Sequence, residues 1–369
     1  LIKPKLIITA GSEFIYNNVL DKMPGYGRVI DQQINTWGTF AELEIKPIEK
    51  LTFLIGGRFD QLNIVGKYDL EGENFGNDEN FNVLVPSISA MYSVHENLKL
   101  RASFAQGYRG PQAFDEDLHI ETVGGAARFI RLGSELEVER SNNVSFSLNF
   151  DKFIRKKQIN FIVESFYTHL NNPFIYGNQE ELSNGVAVIA KRNGDGAKVF
   201  GINIEANIAI GTSFILQSGA TLQRANYSNE EEIWASEDPL SNTPSTSTNR
   251  ILKTPNNYAY FSLVYNPIKL LSISHSGVFT GTMNVPHVID VNTEQTVIKK
   301  TPTFFQNNIK VAYKIRTERN YNVELFGGVK NILNSYQDDF DTGADRDAGY
   351  IYGPINPRTF FVGLKFGLN

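Results

Sequence analysis

The chain has 369 residues, of which 41% are apolar, 12% are aromatic and 20% are charged, and its formal net charge is -5. This balance gives no basic patch for nucleic acid, and the absence of cysteine excludes disulfides, thiolate catalysis and zinc–thiolate sites. The 26 Phe and 16 Tyr beside 2 Trp and 3 Met favour strands over helices, and no run approaches the roughly 18 apolar residues of a membrane helix.

Two-residue alternation of apolar and polar side chains runs through the chain and predicts an all-β fold of about fourteen strands. In chain order, these strands are expected near residues 5–17, 33–46, 51–64, 82–94, 98–108, 137–150, 157–168, 197–209, 213–225, 257–266, 270–282, 303–314, 320–332 and 358–368. Many reach the roughly 9 to 11 residues with which a tilted strand crosses a membrane. No domain boundary is evident within residues 1–369.

The two faces of the predicted strands differ in chemistry, most clearly at residues 199–208. One face there carries Phe200, Ile202, Ile204, Ala206 and Ile208. The other carries Gly201, Asn203, Glu205 and Asn207. Other strands add Arg58, Asn160, Glu164 and Lys310 to the polar face. We expect the apolar face to meet lipid or a core and the polar face to meet water.

The predicted connections alternate between short and long. Long polar links are expected at residues 65–81, 109–136, 171–195, 226–254, 284–301 and 334–357. Soluble domains rarely keep loops longer than about 12 to 15 residues, whereas outer-membrane barrels combine short periplasmic turns with long outer loops. The pattern therefore favours a transmembrane antiparallel β-barrel over a soluble sandwich or propeller, which alternation alone leaves open.

The last predicted strand supports the same interpretation. Its apolar row is Phe360, Val362, Leu364, Phe366 and Leu368. Such a row on a soluble edge strand would invite aggregation, whereas in a barrel it faces lipid. An aromatic, alternating carboxy-terminal strand also resembles the assembly signal of outer-membrane proteins.

Three stretches resemble motifs of the TonB-dependent receptors. Residues 104–112 are similar to the family's G-[FY]-R-x-P motif, and residues 133–141 are similar to its N-x-x-L-x-P-E-R-S box, with Val138 in place of proline. Residues 328–334 are similar to V-x-N-[IL]-[FL]-[ND], which precedes the last loop and strand. The matching motif residues, to which we assign a structural role, are Tyr108, Arg109, Pro111, Glu139, Arg140 and Asn331.

The resemblance implies a barrel of twenty-two strands that encloses an amino-terminal plug domain. Residues 1–369 would then be the carboxy-terminal part of the barrel, with the plug and about eight strands outside this chain. A complete fourteen-stranded passive channel is the alternative, because strand numbers of outer-membrane barrels are even and variable.

The resemblance also implies a function in the bacterial outer membrane. Receptors of this family bind a scarce nutrient on their outer loops and import it when the TonB complex acts on the plug. The expected ligand is an iron–siderophore, with cobalamin, haem or another metal chelate as further options, so iron, cobalt or haem would enter with the ligand and not as an intrinsic cofactor. The alternative function, from a different class, is that of a structural or assembly-associated barrel in a larger envelope complex. A surface lipoprotein or other envelope subunits are further possible partners in this family.

One predicted loop combines ligand-binding groups of several kinds. Residues 112–121 include Asp115, Glu116, Asp117 and His119. Oxygen and nitrogen donors suit a metal or its complex, and haem receptors of the family often place a histidine between the first two motifs. A solvated turn explains the same residues, since one segment rarely forms a metal site alone. We predict ligand binding at this loop and leave any bound metal open.

The remaining polar residues give weaker signals. Arg109 is expected to pair with a carboxylate of the wall or plug. His169, His275 and His287 look isolated, with His275 on an apolar face. The acidic residues of the last long loop are interpreted as solvated charge; they are Asp338, Asp339, Asp341, Asp345 and Asp347. Phosphate-binding glycine motifs and nucleophile elbows are absent, so no enzymatic activity is predicted.

Overall fold

The computed structural model of the chain describes residues 5–112, 122–123, 126–127, 129–133, 136–185, 187–236, 238, 240–290, 293–316 and 321–368. Most of these residues are in strands, and the helical content of this part is one short 3-10 turn at Pro24–Tyr26. No helix among the described residues is long and apolar enough to span a membrane. The predicted all-β fold is confirmed.

Fourteen long strands form one antiparallel sheet, which we call the wall. They are β1 (Lys5–Met23), β2 (Arg28–Ile48), β3 (Leu51–Leu70), β4 (Glu73–His95), β5 (Leu98–Arg109), β6 (Glu139–Ile154), β7 (Lys157–Asn171), β8 (Ala197–Ile210), β9 (Phe214–Trp234), β10 (Asn257–Ile268), β11 (Leu271–Thr280), β12 (Phe304–Arg316), β13 (Tyr321–Lys330) and β14 (Thr359–Leu368). Their order in the sheet equals their order in the chain. Each corresponds to one predicted strand, although several extend further than predicted.

The wall has two edges. Among the described residues, β1 pairs only with β2 and β14 pairs only with β13. A short strand, Thr246–Arg250, pairs with the upper part of β9 and adds no member to the main path of the sheet. We call the end of the wall that carries the long connections the upper end.

The register places the alternating faces in continuous rows across the strands, because residues that are opposite each other in an antiparallel pair share a face. Ile204 in β8 lies opposite Val163 in β7 and Ala220 in β9. In β14, Phe360 and Val362 are 74% and 79% exposed. We call this apolar side of the wall the outer face and the opposite side the inner face.

The link predicted at residues 65–81 is a hairpin extension and not a loop. β3 continues to Leu70 and β4 begins at Glu73, so the connection is Glu71–Gly72, with φ values of 52° and 88°. Above the membrane, outer-face residues need not be apolar, so the outer face of this extension is polar. The resulting polar composition of residues 65–81 suggested a loop. The buried inner-face residues Ile64, Tyr68 and Leu70 nevertheless keep the two-residue period.

Four other predicted links also contain strands, and one of them, residues 109–136, includes Phe129–Leu132. Residues 171–195 include Phe174–Glu181 and Ala187–Asn193, which pair antiparallel, and residues 284–301 include the hairpin of Asn284–Asp290 and Gln295–Lys300. β9 continues to Trp234 within the link predicted at 226–254. The link predicted at 334–357 is confirmed as a long connection without strands.

A small sheet covers the inner face of the upper wall, and we call it the cap. It consists of Phe174–Glu181, Ala187–Asn193 and Phe129–Leu132, and its last two strands run parallel. Cap residues and the segment before β6 enter buried clusters with β2, β3 and β4. These buried residues are Ile30, Leu62, Tyr68, Leu70, Val83, Leu132, Leu136, Val138 and Val188. The chain thus has a hydrophobic core where the cap meets the wall.

Candidate ligand-binding face

The predicted ligand-binding residues Asp115, Glu116, Asp117 and His119 lie outside the described residues. The segment that precedes them in the chain packs against the wall. Pro111 is fully buried, and a Cβ atom on Gly110 would stand 3.1 Å from Leu62 and 3.3 Å from Ile64. The chain therefore leaves β5 in close contact with the inner face of β3.

The first motif is connected to the inner face by a network of charged groups. Tyr108 donates its hydroxyl hydrogen bond to Asp60 across 2.8 Å, and the Arg58 Nε also donates to Asp60, at 2.8 Å. Nη1 of Arg58 donates to Glu13 at 3.0 Å. Since Asp60 is 1% exposed, its carboxylate is held by two donors inside the wall.

Sequence reasoning placed Arg58 on the polar face but missed its partners. The signal was present: Arg58 and Asp60 are two residues apart on an alternating strand and so share a face. The partner on β1, Glu13, could not be identified without the register that sets Gly38 opposite Glu13.

The second motif holds the cap. Arg109 Nη2 lies 3.3 Å from the Glu139 carboxylate, which also accepts a hydrogen bond from the Phe174 amide at 3.2 Å. The Arg109 guanidinium lies 5.1 Å from the Phe174 ring centroid. Arg140 donates to the Leu84 carbonyl at 3.3 Å. The structure thus places Arg109 against a carboxylate of the wall.

Asn193, which pairs with Phe174 in the cap hairpin, ties this same end of the cap to the segment before β6. Its side chain accepts a hydrogen bond from the Glu137 amide at 2.8 Å and donates to the carbonyls of Glu137 and Asn172. These bonds hold the end of the cap hairpin that is formed by Phe174 and Asn193, and the buried contact of Val188 with Leu70 holds the cap against the wall nearer the hairpin turn. Nothing in the sequence identified Asn193.

The third motif organises the last long connection. Asn331 is 2% exposed, and its Nδ2 donates to the carbonyls of Ser335 and Asn356, while its Oδ1 accepts from the Ser335 amide. Its φ of 49° is a left-handed conformation that asparagine tolerates better than most residues. The side chain therefore joins the beginning and the end of the connection between β13 and β14.

The interpretation of His287 as isolated is wrong. His287 is 6% exposed, its Nε2 lies 2.8 Å from Asp341, and its ring stacks on Tyr350 with centroids 3.9 Å apart. The pair joins the hairpin of Asn284–Asp290 to the last long connection. Their sequence separation of 54 residues hides this contact from any local pattern.

The interpretation of the acidic residues of this connection as solvated charge is wrong for Asp341 and Asp347, whereas Asp339 is exposed and also accepts hydrogen bonds. Asp341 pairs with His287, and Asp347 accepts a hydrogen bond from the Val288 amide at 2.8 Å. Asp339 accepts hydrogen bonds from the hydroxyls of Tyr350 at 3.1 Å and Tyr352 at 2.6 Å. Carboxylates in this loop act as acceptors that fold it.

Ionisation of Asp339 reflects this packing. Burial opposes the charged form, but hydrogen bonds from Tyr352, Tyr350 and Gln337 outweigh it and hold the pKa of the Asp339 carboxyl below its ordinary value. Burial and the bond to Asp339 raise the pKa of the Tyr352 hydroxyl. Asp339, Tyr350 and Tyr352 therefore form a hydrogen-bonded carboxylate–phenol cluster.

Polar residues line the inner face below the cap. Asn203 accepts a hydrogen bond from Thr221 at 2.8 Å and donates to Glu164 at 3.4 Å, and Asn207 donates to Asn160 at 3.4 Å. Lys310 lies on the same face, 4.0 Å from Glu324. The predicted polar face is thus a continuous hydrogen-bonding surface. His275 lies on the outer face, in edge contact with the Phe261 ring at 4.9 Å.

Among the described residues, no group of three or more His, Asp or Glu side chains is placed to hold a metal ion. The face instead offers hydrogen-bonding groups and aromatic rings around the base of the segment 113–121. It has the chemistry to bind and orient a polar ligand.

The sequence model of the family described as "TonB dependent receptor-like, beta-barrel" matches residues 8–332. No curated protein sequence matches the chain.

Solved structures share the fold at low identity. The ferric-catecholate import receptor Fiu from E. coli K12 has a TM-score of 0.65 at 16% identity, with 98% of this chain and 52% of that chain covered. The siderophore receptor PiuA from Acinetobacter baumannii gives 0.63 at 14%, with 91% and 43% covered. The FrpB iron transporter from Neisseria meningitidis gives 0.58 at 15%, with 97% and 55% covered.

The chain spans about half the length of these structures, between 43% and 55% of each. The matching family is one of receptor β-barrels, and the solved structures share its fold. The resemblance seen in the three motifs is confirmed: the chain belongs to the TonB-dependent receptor-like β-barrel family, and it lies in the bacterial outer membrane.

Proposed function

We propose that this chain supplies wall and extracellular surface to a receptor that imports a ferric siderophore. Membership of the family carries the proposal, and the similar structures, which are a ferric-catecholate import receptor, a siderophore receptor and an iron transporter, support this choice of ligand. Cobalamin, haem and other metal chelates are the alternatives to be tested beside it.

The ligand would bind above the inner face, at the segment 113–121. Asp115, Asp117 and His119 would contact the chelate or its metal, since carboxylate and imidazole groups bind hard and borderline metal ions and their polar ligands. The buried anchors at Gly110 and Pro111 support this assignment, because they would hold the segment at the mouth of the lumen.

Transport would require parts that lie outside this chain. The plug would rest on the hydrogen-bonding inner face, and the TonB complex would act on the plug to release the ligand into the periplasm. The unpaired edges of β1 and β14 would pair with further strands, because an unpaired backbone group in hydrocarbon costs several kcal/mol.

The test uses the full receptor expressed in cells that lack their own iron receptors. We would measure binding and uptake of 55Fe-loaded catecholate and hydroxamate chelates, of haem and of cobalamin, with and without a functional TonB complex. We expect one iron chelate to be taken up only when the TonB complex is functional. The same chelate should bind the receptor whether or not the TonB complex is functional.

A matched pair of variants addresses the site. Replacing Asp115, Asp117 and His119 by Ala should weaken uptake at least tenfold at unchanged receptor abundance. Replacing Asp338 and Asp345, which are exposed acids of the last long connection, should have no such effect. TonB-independent leakage of small solutes of all kinds would instead indicate a passive channel, and no binding of any probe would favour a structural barrel.

A further inference from the structure

A groove lies on the outer face of the wall, across β6, β7, β8 and β9. Its volume is about 790 Å³. Two rows in register form it: Tyr167, Phe200 and Arg224 above, and Phe146, Ser165 and Ile202 below. The depression arises because the small side chain of Ser165 stands between the larger Phe146 and Ile202.

The floor and sides of the groove are apolar and open. Phe146 is 50% exposed, Phe200 is 45% exposed and Ile202 is 44% exposed. These residues belong to the same outer face as Ile204, which lies at the middle of β8. In the outer membrane the groove therefore faces acyl chains, and its occupant must be apolar where it touches these side chains.

Two cations stand at the upper end of the groove. Arg224 lies opposite Phe200, and Lys198 lies one row higher, opposite His169 and Asn226. Both are exposed. Neither forms an ion pair with any residue in the part of the chain that the structure describes.

Their height matches the outer boundary of the membrane. At a rise of about 3.3 Å per residue and a tilt of about 40°, Lys198 lies about 15 Å above the level of Ile204, and Arg224 lies about 10 Å above it. Half of the apolar band is about 12 Å. The flexible arginine side chain spans the difference, so both cations reach the head-group level of the outer leaflet.

We propose that this groove binds a phosphorylated, multiply acylated lipid of the outer leaflet. An acyl chain would lie in the depression at Ser165, and a phosphate of the head group would bind Arg224 and Lys198. The charge complementarity selects this occupant: a zwitterionic lipid carries a single phosphodiester charge that its own ammonium offsets, whereas a phosphate monoester offers about two negative charges and three acceptor oxygens to the two cations.

The proposal is tested by native mass spectrometry on the full receptor in detergent. The probes are diphosphoryl lipid A, phosphatidylethanolamine and inorganic phosphate. We expect one lipid A to bind per receptor in preference to phosphatidylethanolamine. Inorganic phosphate should not displace it, because phosphate lacks the acyl chains that fill the groove.

Three variants separate the head-group and acyl contributions. Arg224→Gln and Lys198→Gln should each weaken lipid A binding about tenfold, as the loss of one charge-assisted hydrogen bond implies. Ser165→Phe should fill the depression and reduce binding with both cations present. Lys152→Gln is the control, because Lys152 lies on the same face at the lower end of β6. Heat-modifiable gel mobility reports folding of every variant.

Two results would overturn the proposal. Equal retention of lipid A and phosphatidylethanolamine, or equal loss in the Lys152 control, would indicate a nonspecific lipid annulus. A receptor dimer that Ser165→Phe dissociates, without bound lipid, would indicate that a second copy of the chain covers the groove.

Discussion

The assignment of the two faces of the wall can be tested with neighbouring residues of one strand. Ile204 lies at the middle of β8, on the outer face, and is 39% exposed in the absence of lipid. Asn203 lies beside it on the inner face and forms hydrogen bonds with Thr221 and Glu164. We predict that Ile204→Arg impairs the receptor much more than Asn203→Arg.

The magnitude follows from the different surroundings. An arginine on the lipid face near the midplane costs about 2 to 4 kcal/mol, which is a factor of about 30 to 900 in the folding equilibrium. Asn203→Arg loses the bond to Thr221, at about 0.5 to 1.5 kcal/mol, but places its cation beside Glu164 in a hydrated interior. The two variants should differ by about 2 kcal/mol.

Urea unfolding of the two purified receptors in lipid bilayers measures this difference, and heat-modifiable gel mobility reports assembly in cells. The wild-type receptor and Asn203→Ala provide the reference and the cost of the lost hydrogen bonds. Equal destabilisation by the two arginines, or a larger effect of Asn203→Arg, would refute the face assignment on which the outer groove and the inner polar surface both depend.

Further predictions address the last long connection and the edges of the wall. Asn331→Ala should destabilise that connection by about 2 to 4 kcal/mol through the loss of its side-chain hydrogen bonds. Asn334→Ala, which removes one acceptor, should cost less, and protease sensitivity of the connection measures both. Because the folded-state pKa of Asp339 is lowered, its stabilising contribution is present above the ordinary pKa of 3.8 and is lost as the pH falls through the lowered value. Tyr352→Phe removes a hydrogen bond to that carboxylate. As the pH is lowered, the connection between β13 and β14 should therefore become protease-sensitive at a higher pH in this variant than in the wild type. An unchanged pH dependence of proteolysis would contradict the role assigned to the cluster. Residues 1–369 expressed alone should not yield a closed, ligand-importing barrel, whereas co-expression with upstream segments of the receptor should restore folding; a stable, heat-modifiable monomer from these residues alone would contradict this.

The sequence predicts the wall well because one physical constraint repeats in every strand. A strand in hydrocarbon must present apolar side chains to lipid on every second residue, and this leaves a two-residue period that can be recognised locally. The row from Phe200 to Ile208 and its counterpart in β14 show that period most clearly. For this reason the fourteen strands and their two faces could be predicted from the sequence.

Above the membrane the constraint changes, and local patterns lose their meaning. In the β3–β4 extension only the inner face is buried, beneath the cap, so polar residues on the other face suggested a loop. His287 and Asp341, and likewise Asp60 and Tyr108, are paired through contacts between distant segments. A single sequence does not show which residues of distant segments lie opposite each other. The motif residues could therefore be identified from the sequence, but their partners could not.

The difference between the two regions explains where specificity can reside. The outer face accepts only side chains that lipid tolerates. A charged side chain such as Arg224 must therefore lie near the membrane boundary, because at the midplane it would destabilise the folded barrel. The cap and the last connection carry no such restriction, because their carboxylates and amides are satisfied by one another, as in the cluster of Asp339 with Tyr350 and Tyr352. We propose that specificity resides in residues 113–121, which follow the buried Pro111 in the chain, because substitutions there would alter neither the residues of the lipid-facing rows nor those whose hydrogen bonds hold the cap.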